Sequence, residues 1–124
     1  MRVLNYLLLA VANTEASAGL YQQLLGVAPV QNRPGFALFV LSNGMKIGLW
    51  AKDQIQPAPK PVGGSEISFT EESPETMLAT YRDWQALGLT ILQEPVEMPF
   101  GFTFVAEDPD GHRLRPFVPP AQPS

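Results

Sequence analysis

The chain carries one histidine, His112, in the stretch EDPDGHRLRPF at residues 107–117. Glu107, Asp108 and Asp110 precede it, and Arg113 and Arg115 follow it. An imidazole among carboxylates is the donor set of a divalent-cation site or of a proton-transfer pair. The backbone argues against both. Pro109 and Gly111 make residues 108–111 a β-turn, and the alternation of the strand that follows puts His112 on the side of Leu114. Arg113, Arg115 and Phe117 share the opposite face. Elsewhere no Gly-x-Ser-x-Gly elbow and no phosphate-cradling glycine loop occurs. With no cysteine there is no thiolate nucleophile, thiolate zinc site or disulfide framework. No catalytic residue is assigned.

These residues must be positioned by a chain of 124 residues, a length expected to form one domain that buries roughly two thirds of its unfolded surface. Its net charge is −4 with no clustered Lys/Arg stripe, so nucleic acid is excluded as an expected partner. No apolar run reaches the roughly 18–20 residues that span a bilayer, and the first residues lack the basic region and cleavage site of a signal peptide. The expectation is a cytoplasmic protein with no membrane partner.

Residues 3–12, VLNYLLLAVA, are apolar on both parities and read as a central strand buried on both faces. Asn13 or Thr14 then caps a helix in which Leu20 and Leu24 share a face and which Gly26 stops. FALFVL and MKIGLW are joined by Ser42-Asn43-Gly44, a tight hairpin signal. Arg33, in NRPG, reads as a solvated loop residue. The Pro/Gly-rich residues 53–63 read as a linker.

The order then repeats. GSEISFT alternates as a strand, and Ser73 with Pro74 opens a helix carrying Met77, Leu78, Tyr81, Trp84 and Leu87, which ends at Gly88. Trp84 falls on its packed side or rim, in a structural role. TILQEPV reads as an edge strand because Pro95 interrupts it, and FTFVAE pairs with HRLRPFV. Phe100, Phe102 and Phe104 alternate as core, interface or a second aromatic wall. Laying SNGMKIGLW over PDGHRLRPF sets Gly44 against Gly111, Lys46 against Arg113, Ile47 against Leu114 and Trp50 against Phe117. The fold expected is α+β: one domain over residues 1–124, made of two βαβββ modules at about 1–52 and 64–118.

In this arrangement the chain resembles the vicinal oxygen chelate superfamily, which includes glyoxalase I, extradiol dioxygenases and bleomycin-resistance proteins. The resemblance is carried by Asn13-x-x-x-Ser17-x-x-x-Tyr21-x-x-x-Leu25-Gly26, by Ala86-Leu87-Gly88 and by Asp108-Pro109-Asp110-Gly111-His112. It implies two modules whose curled sheets form a cup with helices outside, usually in a homodimer. Metal-dependent members of the family hold ligands at four positions, which fall here on Tyr6, Gly48, Glu66 and Arg115. Only Glu66 is a competent ligand, and arginine offers no acceptor. The resemblance therefore implies no catalytic metal and no cofactor.

By strand parity Tyr6, Trp50, Glu66, Ser68, Arg113, Arg115 and Phe117 line the concave face, and Gly48 leaves room beside Trp50. Such a lining suits a planar aromatic molecule, with Arg115 pairing to a carboxylate. The expected function is sequestration of an aromatic antibiotic or related metabolite, closest to the metal-free bleomycin- and phenazine-resistance members. Two alternatives stay open within it: Trp50 lines the cup or packs in a dimer interface, and Glu66 with Arg115 contacts ligand or forms an ion pair. The competing function is a metal-dependent lyase, isomerase or dioxygenase.

Overall fold

A computed structural model describes residues 2–61 and 63–120; Val62, within the expected linker, lies outside them. The chain divides into two compact units, Met1–Pro61 and Val62–Ser124.

In the first unit, β1 (Tyr6–Val11) leads into α1 (Thr14–Leu25), and β2 (Gln31–Arg33), β3 (Phe36–Val40) and β4 (Lys46–Ala51) follow. The sheet order is β1-β4-β3-β2, with β1 parallel to β4 and the other pairs antiparallel. The parallel pair is possible because α1 carries the chain back across the sheet. Asn13 caps α1 by accepting a bond from the Ala16 amide at 3.0 Å, and Gly26 closes it in the left-handed region at φ 72°. The buried stripe of α1 is Ser17, Ala18 and Tyr21. Ala18 and Tyr21 form the core with Val11, Ala37, Phe39, Ile47 and Leu49, and Leu24 packs only at its margin. Small residues at 17 and 18 let the helix approach the sheet.

The first strand departs from expectation. It begins at Tyr6, it is the edge of its sheet, and Tyr6, Leu7 and Leu8 are each more than a third exposed. The ladder ends there because β4 starts at Lys46, whose amide donates to the Asn5 carbonyl. Apolarity on both parities recorded hydrophobicity, and it did not fix which strands would flank it. Arg33 likewise ends β2 and is not in a loop; its guanidinium lies 5.4 Å from the Phe36 ring centre. The register Arg33↔Phe36 puts them side by side.

The second unit repeats the first: β5 (Glu66–Thr70), α2 (Pro74–Ala86), β6 (Thr90–Met98), β7 (Gly101–Glu107) and β8 (Arg113–Val118), in the order β5-β8-β7-β6. β6 is an edge strand, and its pairing with β7 is irregular around Pro95. Ser73 and Thr76 form a reciprocal capping box at the start of α2. Its buried residues, Met77 and Trp84, reach the sheet, where Trp84 makes edge contacts with Phe69 and Phe104. Trp84 is thus a core residue, and Phe104 is fully buried beside it.

The internal repeat is structural. Gly44 and Gly111 both adopt φ 89°, a left-handed turn position that glycine takes without a Cβ penalty, and β4 and β8 start two residues after them. Tyr6 pairs with Lys46 as Glu66 pairs with Arg113. Among the described residues, no helix is long and apolar enough to cross a membrane.

Candidate functional site

On β5 and β8, Ile67 and Leu114 turn toward α2, so Glu66, Arg113 and Arg115 must emerge on the opposite face. They meet there as one charged cluster. Arg115 Nε donates to Glu66 Oε1 at 2.8 Å and Nη2 to Oε2 at 3.1 Å, a bidentate pair. Arg113 donates to Glu66 Oε2 through Nε at 2.9 Å and approaches it through Nη2 at 2.8 Å. Arg115 Nη1 reaches Gln93 Oε1 and Thr103 Oγ1, and Thr103 in turn donates to the Pro116 carbonyl at 2.8 Å. The Arg115 bond, opposed by partial burial and aided by the charge of Arg113, holds the Glu66 carboxyl below the usual carboxylate range.

At the other end of this row, Phe117 and Phe100 meet edge to face at 6.2 Å, and the Arg115 guanidinium stands 5.3 Å from the Phe100 ring centre. Ser68 lies opposite Arg115 in the ladder and is exposed. Sequence reasoning missed Gln93 and Thr103. Thr103 was findable, because it pairs with Phe117 across the β7–β8 hairpin; Gln93 was not, because β6 slips register beside it.

In the first unit, Tyr6, Gly48 and Trp50 share the face turned away from α1. The space over Gly48 is not open. A Cβ at Gly48 would lie 2.8 Å from Tyr6 Oη and 2.9 Å from Leu8 Cδ1, so both side chains lie across it. The expected gap beside Trp50 is filled because edge strand β1 has no further neighbour in its sheet and its side chains fold down onto β4. Trp50 is half-buried and meets Phe36, its cross-strand partner, edge to face at 6.5 Å. Phe36 was missed, although counting back from the Asn43-Gly44 turn finds it. A separate cavity of about 630 Å³, lined by Asn13, Glu15, Asn32, Arg33, Asp53 and Gln54 among others, contains none of the expected ligand residues.

His112 closes its own turn. Its Nδ1 lies 2.8 Å from Asp108 Oδ2, while Asp108 Oδ1 accepts from the amides of Asp110 and His112. That bond, opposed by burial and aided by the charges of Asp108 and Asp110, raises the imidazole pKa. The donor atoms of Asp108, Asp110 and His112 lie within 4.8 Å of one another, yet each bond described for them belongs to the turn.

The metal set of the metal-dependent proteins that the sequence resembles does not fit these residues. Gly48 has no side chain and its Cβ space is taken, Tyr6 lies over it, Glu66 is bonded by two guanidiniums, and Arg115 is a permanent cation.

Two four-stranded mixed sheets, each with one helix in βαβββ order, define an α+β fold of the glyoxalase type. The chain belongs to the Glyoxalase/Bleomycin resistance protein/Dioxygenase superfamily, whose family model matches residues 3–115. Among individual proteins, it is 27% identical over 114 residues to the phenazine antibiotic resistance protein EhpR of Enterobacter agglomerans, covering 90% of this chain and 88% of that one. A protein of Agrobacterium tumefaciens solved in solution by NMR is 43% identical with a TM-score of 0.89, over 98% of this chain and 100% of that one. A glyoxalase-related enzyme from Fulvimarina pelagi matches at 22% identity and a TM-score of 0.85, covering 99% of this chain and 92% of that one, and shares the fold.

Proposed function

We propose that this protein binds and sequesters a planar aromatic antibiotic or related metabolite without a metal. The observation that carries the reading is the face of the second unit, where an arginine locked to Glu66 and backed by Phe100 and Phe117 occupies a position that metal-dependent relatives give to a carboxylate. Guanidinium and ring faces are suited to stacking on and orienting a flat π-system. The similarity to a phenazine resistance protein supports the same ligand class. The residues proposed to bind are Glu66, Ser68, Arg113, Arg115 and Phe117 on the face of the second unit; within the first unit Tyr6 and Trp50 are the candidate contacts, and Gly48 is covered by Tyr6 and Leu8.

The active form is a cytoplasmic homodimer. In favour of the dimer, Val3 and Leu4, which precede β1, and Leu8 within it are 76%, 86% and 43% exposed, an apolar margin beside an edge strand that association would cover. Sedimentation should return twice the 13.6 kDa of the chain. Binding is tested by titrating tryptophan fluorescence with phenazine, mitomycin C and bleomycin. Saturable quenching by at least one is expected, largely lost in Trp50→Phe because Trp84 is buried in the core. A folded sample that binds none of the three refutes the proposal.

A further inference from the structure

The two arginines of the charged cluster differ in what they have left to offer. Arg115 spends Nε and Nη2 on Glu66 and directs Nη1 at Gln93 and Thr103, and its side chain is only 15% exposed. Arg113 spends Nε and Nη2 on Glu66, while its Nη1 has no hydrogen-bond partner among the described residues, and its side chain is 39% exposed. Glu107 faces Arg113 across the β7–β8 ladder, but the two form no ion pair among the described residues. The cation set deeper is thus committed to structure, and the shallower one retains donors.

Arg113, Arg115 and Phe117 alternate along one face of β8. At about 3.3 Å per residue, Arg113 and Phe117 are roughly 13 Å apart along the strand. A fused-ring aromatic lying along β8 therefore covers Arg115 with its rings near Phe100 and Phe117 and brings a substituent toward Arg113.

Resting on the binding reading above, we infer that the ligand class is a carboxylated polycyclic aromatic and that Arg113 selects it, by receiving the carboxylate. Arg115 is a positioning residue that anchors Glu66 and backs the aromatic end. Glu66 ties both guanidiniums in place. The role that residue type alone suggested for Arg115 passes to its neighbour two residues earlier.

Isothermal titration of the full chain with phenazine and with phenazine-1-carboxylate near neutral pH tests this. The wild type should bind the carboxylate about tenfold more tightly, the scale of one charge-assisted hydrogen bond. Arg113→Gln should bring the carboxylate down to the affinity of phenazine, and Arg113→Lys should keep part of the preference. Arg115→Gln should weaken both ligands together, with its circular dichroism spectrum checked for folding. Equal wild-type affinities, or a preference that survives Arg113→Gln, overturn the inference and leave the binding proposal standing. Failure of both compounds to bind the folded wild type removes the binding proposal and this inference with it.

Discussion

Glu66 and His112 each bind a partner of opposite charge, and their pH signatures run in opposite directions. Glu66 has a folded pKa below its ordinary value, so its stabilisation is present above the unfolded pKa of about 4.3 and is lost as pH falls through the folded value. His112 has a raised folded pKa, so its contribution is complete below about 6.5 and is lost as pH rises through the folded value. Urea denaturation across pH should show both losses. Glu66→Gln should flatten the acid limb and cost about 1–2 kcal/mol at neutral pH, between an exposed ion pair and a charge-assisted bond, because it leaves two guanidiniums without their carboxylate. His112→Gln should flatten the alkaline limb while the turn survives on Asp108 and the left-handed Gly111. An alkaline loss that persists in His112→Gln would assign it to another group. At this scale the sequence supported the identity of the cluster through strand parity alone, since Glu66, Arg113 and Arg115 had to share a face. It did not say which arginine would be saturated, because Gln93 reaches Arg115 across an irregular strand pairing.

Among the elements, the glycines of the strands separate two kinds of constraint. Gly101 opens β7 at φ 142°, and a Cβ there would run into the backbone carbonyl of Val118. Gly101→Ala should therefore destabilise by at least about 2 kcal/mol, since neither the backbone angle nor the carbonyl can give. Gly48 meets only the far ends of Tyr6 and Leu8. Gly48→Ala should displace those side chains and cost less than about 1 kcal/mol in the same thermal or urea unfolding measurement; the reverse order would contradict the geometry. Helix ends and hairpins were legible because their signals are local: Asn13, Gly26, Ser73 with Pro74, Asn43-Gly44 and Gly111 each satisfy or release one turn of backbone. Strand β2 was harder to locate, being three exposed residues with no apolar alternation.

For the whole molecule, the positions that hold metal in the metal-dependent relatives carry residues that do not support metal chemistry in this chain. Protein purified without chelator should carry no stoichiometric nickel, zinc, manganese or iron, and chelation should leave ligand binding unchanged; a bound metal whose removal abolishes function would restore the lyase, isomerase or dioxygenase reading. The sequence by itself determined the α+β order, the repeat of βαβββ with its matching β4 and β8, the caps, and the face that each β5 and β8 side chain takes, because periodicity and turn chemistry are local properties. Only the tertiary structure decided that β1 is an edge strand, that Tyr6 and Leu8 fill the space over Gly48, and that Arg115 is locked while Arg113 keeps a donor. Each of those depends on which strands become neighbours and in what register, and no single strand's pattern carries that information.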